Sequence, residues 1–231
     1  MRVVAVLCTY NESGAVGGVI GKLKKVLPDV QVVVVDDDST DGTAAAAESA
    51  GARVVVRRRC RRGRGLAGRD GYRTALDLGA DLILEMDADG SHNPADAPRI
   101  LEALESADIA VGSRACGASC GAGGSDDRGI GRRCISAVAK WIVKILLALP
   151  LADPTTGYRA FRAEALCRIE PDTLTAIGPE IVEEVYVRAC RQGLRMTEVP
   201  IRFLNRSAGE SKLTMLKLMR VFIQCVRLAR R

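Results

Sequence analysis

Aromatic side chains make up only 3% of the 231 residues, and the chain holds a single histidine and a single tryptophan. Its core must therefore be filled by Val, Leu, Ile and the abundant Ala. No apolar stretch is long enough to cross a bilayer: a spanning helix needs about 20 apolar residues, and the best segment, 137–152, is broken by Lys140, Lys144 and Pro150. No secretory leader is expected either, because Met1-Arg2 runs straight into the short apolar run Val3–Leu7. Cysteine is not scarce, at 8 residues, but its positions follow no framework spacing, so reduced thiols are expected. Cys116, Cys120 and Cys134 lack a fourth ligand nearby, since His92 belongs to a different motif, and a zinc centre is not expected. Internal repeats are also missing.

What is present is ordinary globular usage, 48% apolar and 27% charged, which excludes intrinsic disorder. The length fits one large domain, or a domain with a short appendage. Apolar runs at Val3–Leu7, Val30–Val35, Val54–Val56, Leu82–Met86 and Ile109–Val111 read as strands. Helical stretches at Ala15–Val26, Thr43–Ala50, Gly71–Leu78 and Asp96–Ser106 separate them. Continuous apolar strands alternating with helices predict an α/β fold, a mostly parallel sheet covered on both faces. Ligands then bind at the carboxyl ends of the strands. Past residue 115 the pattern changes: Cys116–Gly131 reads as a loop and Arg133–Leu149 as an apolar helix. A turn follows at Asp153–Gly157, then a helix near Glu180–Gln192, a strand at Met196–Phe203 and a basic C-terminal helix.

The unusual residues gather at the expected strand ends. Glu85-Met86-Asp87-Ala88-Asp89 closes the fourth strand, and alternation puts Asp87 and Asp89 on one side of the chain. Two hard oxygen ligands there suit Mg²⁺ or Mn²⁺, which bind few protein carboxylates and complete their shell with phosphate and water. The first strand runs into Thr9-Tyr10-Asn11-Glu12, the second into Asp36-Asp37-Asp38-Ser39-Thr40-Asp41-Gly42-Thr43. An acid ending a second strand can accept from a ribose or a base edge, while Ser39–Thr43 also makes a sound turn and helix cap.

Together these segments resemble family 2 glycosyltransferases of the GT-A fold, nearly end to end and in order. The resemblance rests on Tyr10-Asn11-Glu12, on Asp36, Asp37, Ser39, Asp41, Gly42 and Thr43, and on Met86-Asp87-Ala88-Asp89-Gly90-Ser91-His92. It continues through Gly112-Ser113-Arg114, the Arg132/Ser136 pair, Asp153-Pro154-Thr155-Thr156-Gly157-Tyr158-Arg159 and Gly209-Glu210-Ser211-Lys212. The set looks most like the dolichyl- and polyprenyl-phosphate mannose synthase subgroup. Cys8 stands where the family usually has Pro, and Gly90 where Leu is common.

The resemblance implies a GT-A domain over residues 1–211 and a basic interfacial helix over 212–231. Thr9, Tyr10, Glu12, Asp36, Asp37, Gly65, Asp87 and Ala88 would then meet the nucleotide, and Asp87, Asp89 and Ser91 would hold Mg²⁺ or Mn²⁺. Asp89, Arg114 and Arg132 would act in transfer, with Arg114, Arg132, Ser136, Arg206 and Lys212 on the acceptor phosphate, and Arg128 a rival to Arg132. A monophosphate acceptor is largely ionised at pH 7, so it needs positioning by planar arginine forks rather than a base. The expected reaction moves a hexose, foremost mannose from GDP-mannose, onto a polyprenyl or dolichyl phosphate at the cytoplasmic membrane face. UDP-glucose or a UDP-N-acetylhexosamine is the alternative donor, and a non-catalytic nucleotide-binding module the alternative class. Enzyme, membrane surface and a membrane-anchoring partner subunit would meet there.

Three other features carry weaker expectations. Gly63-Arg64-Gly65-Leu66-Ala67-Gly68 matches a dinucleotide fingerprint letter by letter. That fingerprint must follow its strand at once and open the helix, whereas arginines intervene here. His92-Asn93-Pro94 reads as a polar turn, with His92 capping the next helix. The run Arg57–Arg64 lacks aromatics for base stacking, so nucleic acid is not an expected partner and a solvated basic face is. Residues 212–231 carry Lys212, Lys217, Arg220, Arg227, Arg230 and Arg231 without an acid. Their cations span an arc of about 140° on a helix, the pattern of a helix lying in the interface of anionic lipid. The same pattern in Arg133–Leu149 fits core packing equally well.

Overall fold

The computed structural model describes residues 1–57, 62–115, 147 and 149–203. Seven strands form one sheet in the order β3-β2-β1-β4-β6-β5-β7. They are β1 (Val3–Thr9), β2 (Gln31–Asp36), β3 (Val54–Arg57), β4 (Leu82–Asp87), β5 (Ile109–Ser113), β6 (Arg159–Arg162) and β7 (Met196–Pro200). The helices are α1 (Ser13–Val26), α2 (Thr43–Ser49), α3 (Arg64–Asp77), α4 (Ala97–Glu102), α5 (Ala163–Ile169) and α6 (Ile181–Arg191).

Strand alternation builds two cores. Val4, Val6, Val33 and Val35 point to one face, where α3, α5 and α6 bury Tyr72, Ala75, Leu166, Val185 and Tyr186. Ala5, Leu7, Val32 and Val34 point to the other, met by Val16, Val19, Ile20 and Leu23 of α1 and Ile100 of α4. The α1 spacing i, i+3, i+4, i+7 is that of one helical face. Sheets covered on both sides take continuous apolar strands, as the sequence predicts.

The register fixes where the strand ends meet. β1 pairs in parallel with β2 (Thr9 opposite Asp36) and with β4 (Cys8 opposite Asp87). β6 runs antiparallel between β4 and β5, with Arg159 opposite both Glu85 and Val111. The first residue of β6 therefore stands on the same edge as the last residues of β1, β2 and β4, and the loop Asp153–Tyr158 enters over that edge.

The structure departs from the sequence expectation at β6 and α5, at the start of α3, and in the expected helix Asp96–Ser106, of which only Ala97–Glu102 is α-helical. β6 and α5 were not expected, because Arg-Ala-Phe-Arg carries no apolar run and its opening arginine looks like a surface residue. The third helix opens at Arg64, seven residues before the expected Gly71, because its glycines and alanines pack rather than bend. Gly65, Ala67, Gly68, Gly71, Tyr72 and Ala75 are buried, and a Cβ on Gly71 would lie 2.3 Å from Val6 Cγ1 of β1.

Candidate active site

The ends of β1 and β2 are laced together. Thr9 Oγ1 donates to Asp36 at 3.3 Å, and the Ser39 amide and hydroxyl donate to the same carboxylate at 3.1 and 2.5 Å. The Asn11 amide donates to Ser39 Oγ, the Thr40 amide to Asn11 Oδ1, the Glu12 amide to Thr43 Oγ1 and the Ser13 amide to Asp41 Oδ2. Burial would raise the Asp41 carboxyl, but bonds from Thr43 and Ser13 outweigh it and hold it at about 2. The Asp37 carboxylate accepts from the Gly63 amide at 2.6 Å, tying this edge to the start of α3. Arg62 lies 4.9 Å over the Tyr10 ring, donates to its hydroxyl at 2.9 Å and pairs with Asp38 at 2.9 Å. Thr9, Tyr10, Glu12, Asp36 and Asp37 thus share one corner of the sheet edge, with Asp36 acting visibly as a brace for the turn.

The end of β4 carries the acidic pair. Asp87 keeps 35% of its side chain exposed, while Asp89 is 8% exposed and accepts from the Ser91 amide at 2.9 Å. Between them Ala88 is buried in the α1 core, and Gly90 takes a left-handed φ of 80° that a leucine would resist. Ser91 is buried too, and the bond the structure gives it at this motif comes from its amide.

His92 does not cap the next helix, contrary to the sequence expectation. The following turn is capped by Asn93, whose side chain accepts from the Ala95 amide. His92 is buried under the acidic motif, stacked on Tyr158 at 4.9 Å, and its Nδ1 accepts from the Asp87 amide at 3.0 Å. Desolvation lowers its pKa, which favours the neutral ring that this bond requires.

Beneath Asp87 lies a charged network that sequence reasoning missed. Glu85 and Arg159 are both 0% exposed. Glu85 Oε2 accepts from Arg159 Nε at 2.7 Å and from the Tyr72 hydroxyl at 2.5 Å, while its Oε1 accepts from Arg64 at 2.6 Å. Arg159 also donates to the Tyr72 hydroxyl and to the Val182 carbonyl. Burial alone would raise the Glu85 carboxyl, yet Arg159 and Arg64 together keep it at about 2. Arg64 further reaches Asp87 Oδ1 at 3.6 Å and donates to Cys8 Sγ at 3.4 Å. Burial pushes the Cys8 thiol up to about 12, so it stays protonated. One signal for this network was available in the sequence, a glutamate inside the apolar strand Leu82–Met86, since a buried carboxylate demands a partner.

Gly65 packs closely against the 176–177 backbone. A Cβ there would lie 2.4 Å from the Ala176 carbonyl oxygen, and its amide donates to the Ile177 carbonyl at 2.8 Å. The glycines opening α3 admit the 176–177 backbone, which explains the chance match to a dinucleotide fingerprint. Gly157, by contrast, borders the acids, its missing Cβ lying 3.4 Å from Arg64 Nη2 and 3.5 Å from Asp87 Oδ1.

On the other flank Arg114 grips Asp153 through Nε at 2.6 Å and Nη2 at 2.8 Å, and Nη2 also reaches Thr155. Asp153 is itself fixed by its backbone amide, which donates a hydrogen bond to Glu198 Oε1 at 2.9 Å. The guanidinium lies 5.2 Å over Phe203, so the fork is locked in one plane. Arg128, Arg132, Ser136, Arg206 and Lys212 lie outside the described residues, as do the loop cysteines, the expected helix over 212–231 and all of the expected helix Arg133–Leu149 except Leu147 and Leu149, which are buried in the core.

The glycosyl transferase family 2 model matches residues 4–168, the stretch that carries every strand end described above except that of β7. The chain belongs to glycosyl transferase family 2. Within the family, the undecaprenyl-phosphate mannosyltransferase of Micrococcus luteus is 38% identical over 218 residues, 93% of this chain and 88% of that protein. The polyprenol monophosphomannose synthase of Mycolicibacterium smegmatis is 35% identical over 220 residues, 92% of this chain and 81% of that protein. Among solved structures, the glucosyl-3-phosphoglycerate synthase of Mycobacterium tuberculosis, in complex with Mn²⁺, uridine-diphosphate and phosphoglyceric acid, superposes with a TM-score of 0.74. It does so at 20% identity, over 99% of this chain and 78% of that one. The glycosyltransferase has the GT-A fold expected from its sequence, its mostly parallel sheet interrupted by the antiparallel β6.

The donor set of this glycosyltransferase also speaks to a metal. Among the described residues no three His, Cys, Asp or Glu side chains converge, so the chain builds no closed cage there. Two carboxylates at a strand end do fit an ion such as Mg²⁺, which takes one or two carboxylates together with substrate phosphates.

Proposed function

We propose that the enzyme transfers mannose from GDP-mannose to a polyprenyl monophosphate at a membrane surface. The observation that carries this reading is the Asp87–Asp89 pair at the carboxyl end of β4, facing the Gly157 loop, in a chain 38% identical to an undecaprenyl-phosphate mannosyltransferase. Asp87 and Asp89 would hold a Mg²⁺ or Mn²⁺ ion, which when bound neutralises the charge of the departing diphosphate. His92 presents the Asp87 backbone from below, and the Ser91 amide orients the Asp89 carboxylate. The nucleoside is assigned to the corner of Thr9, Tyr10, Glu12, Asp36 and Asp37.

The acceptor is assigned to the flank of Arg114, together with Arg132, Ser136, Arg206 and Lys212. Asp153 and Thr155 hold the Arg114 fork in place, and a rigid guanidinium loses little freedom when it meets a phosphate. The acceptor needs no base, because a monophosphate is mostly ionised near neutrality.

The deciding experiment measures nucleoside diphosphate release from a panel of nucleotide-sugars, with and without a polyprenyl phosphate and with and without Mg²⁺ or Mn²⁺. GDP release that needs lipid and metal together is the expected result. Preference for UDP-glucose or a UDP-N-acetylhexosamine would move the donor assignment, and no lipid-dependent release with any donor would overturn the reading.

A further inference from the structure

Arg64 is the cation nearest to Asp87 among the described ion pairs, and it is held there unequally. Its Nη2 lies 2.6 Å from the buried Glu85 Oε1 and 3.6 Å from Asp87 Oδ1. Glu85 cannot move away, since Arg159 and Tyr72 lock its other oxygen. The short bond anchors the guanidinium, and the long one is the contact that can be exchanged. Both partners of that longer contact border the bare Cα of Gly157, and neither is sealed, at 21% and 35% side-chain exposure. A fixed positive charge beside one of two carboxylates repels a second cation from the pair, and a diphosphate brought alongside cancels the repulsion.

We propose that Arg64 is a positioning residue that occupies Asp87 in the donor-free enzyme and yields it to a divalent cation when a nucleoside diphosphate arrives, so that cation and nucleotide bind as a coupled pair. The inference rests on the assignment of Asp87 and Asp89 as the cation-holding pair. Coupling of this kind is reciprocal: whatever factor the nucleotide adds to cation affinity, the cation adds to nucleotide affinity. Arg64 sets that factor by penalising the cation alone. It also supplies Asp87 with a positive partner when no substrate is present.

The test titrates Mn²⁺ into the full chain, reading free Mn²⁺ by electron paramagnetic resonance, alone and in parallel with GDP and with UDP. Arg64→Met removes the charge at similar length, and Arg64→Lys keeps it. Arg64→Met should bind Mn²⁺ alone roughly tenfold tighter than the parent enzyme, with the nucleotide-conferred gain reduced by a similar factor. Arg64→Lys should stay within about threefold of the parent, because the charge is retained. Arg64→Gln, which can still donate to Glu85, provides the same comparison if Arg64→Met does not fold. Equal Mn²⁺ affinity in the parent and the neutral variant, or an unchanged nucleotide-conferred gain, would overturn the proposal and leave the metal assignment standing. No Mn²⁺ binding by any form, even with nucleotide, would overturn that assignment and this inference with it.

Discussion

Two carboxylates two residues apart stand in different surroundings. Asp87 is partly open beside Arg64, and Asp89 is nearly closed over the Ser91 amide. Neither belongs to the apolar clusters that hold the sheet together. Asp89→Ala should therefore cut transfer by at least about 100-fold, the usual cost of losing one electrostatic stabiliser, while thermal unfolding stays cooperative. Parent-like turnover by Asp89→Ala in excess Mg²⁺ would sink the metal assignment. Glu183, in the first turn of α6, makes a different prediction. It is buried, its Oε2 has no hydrogen-bond partner among the described residues, and desolvation lifts its carboxyl from 4.5 to about 7 against the pull of its own backbone amide and of Arg159. Below pH 4.5 both folded and unfolded chains are protonated there. Between 4.5 and 7 only the folded chain keeps the proton, so its stability falls as pH rises, and above 7 the whole penalty is present. That penalty is at most roughly 3 kcal/mol. Glu183→Gln abolishes this titration, so its melting temperature should gain on the parent's between pH 5 and pH 8. A difference that does not change with pH would show that Glu183 is already paired.

Helix α3 shows how an element can be set by what packs on it. Its stripe of small residues lets β1 approach on one side and the 176–177 backbone on another. Gly65→Ala should destabilise by about 1–3 kcal/mol, the range for overpacking a tight contact, because the obstacle is backbone that cannot rotate away. Gly14 of α1 is the control, since a Cβ there meets nothing within 4 Å. Gly14→Ala should be neutral or stabilise by up to about 1 kcal/mol, the helix-interior gain over glycine. Chemical denaturation of both variants checks the pair, and equal effects would contradict the packing account of α3. The same contrast explains what the sequence revealed of each element. The strands β1, β2 and β4 and the helix α1 announce themselves through Val, Ile and Leu at the right period. The start of α3 and the strand β6 do not, since glycines and arginines read as loop or surface until a neighbour covers them.

At the scale of the whole molecule, the sheet edge gathers the acids and the flanking loops bring the arginines. Among the described residues no helix is long and apolar enough to cross a membrane. The contact with lipid is proposed for residues 212–231, whose six cations and absent acids suit an interfacial helix. Removing residues 213–231 should weaken binding to anionic vesicles and make the residual binding less sensitive to salt. It should also lower transfer to a long-chain polyprenyl phosphate more than to a short soluble analogue. Equal losses on both acceptors would assign the segment to the fold instead of the membrane.

The sequence by itself determined the α/β class, the positions of the first five strands along the chain, the family, and the sheet edge on which Thr9, Asp36 and Asp87 end their strands. Those features are local: apolar periodicity fixes which segments are strands, and a parallel sheet puts its strand ends on one edge. Only the tertiary structure decided that Arg159 is a core residue, that His92 serves Asp87 from below, that Arg114 is clamped by Asp153, and that Gly65 packs against the Ala176 carbonyl. Each of these depends on a partner distant in the chain, 74 residues away for Arg159 and Glu85 and 39 for Arg114 and Asp153. A buried charge is tolerated only where such a partner arrives with the right geometry. The sequence shows that Glu85 needs one, and the folded sheet selects which arginine answers.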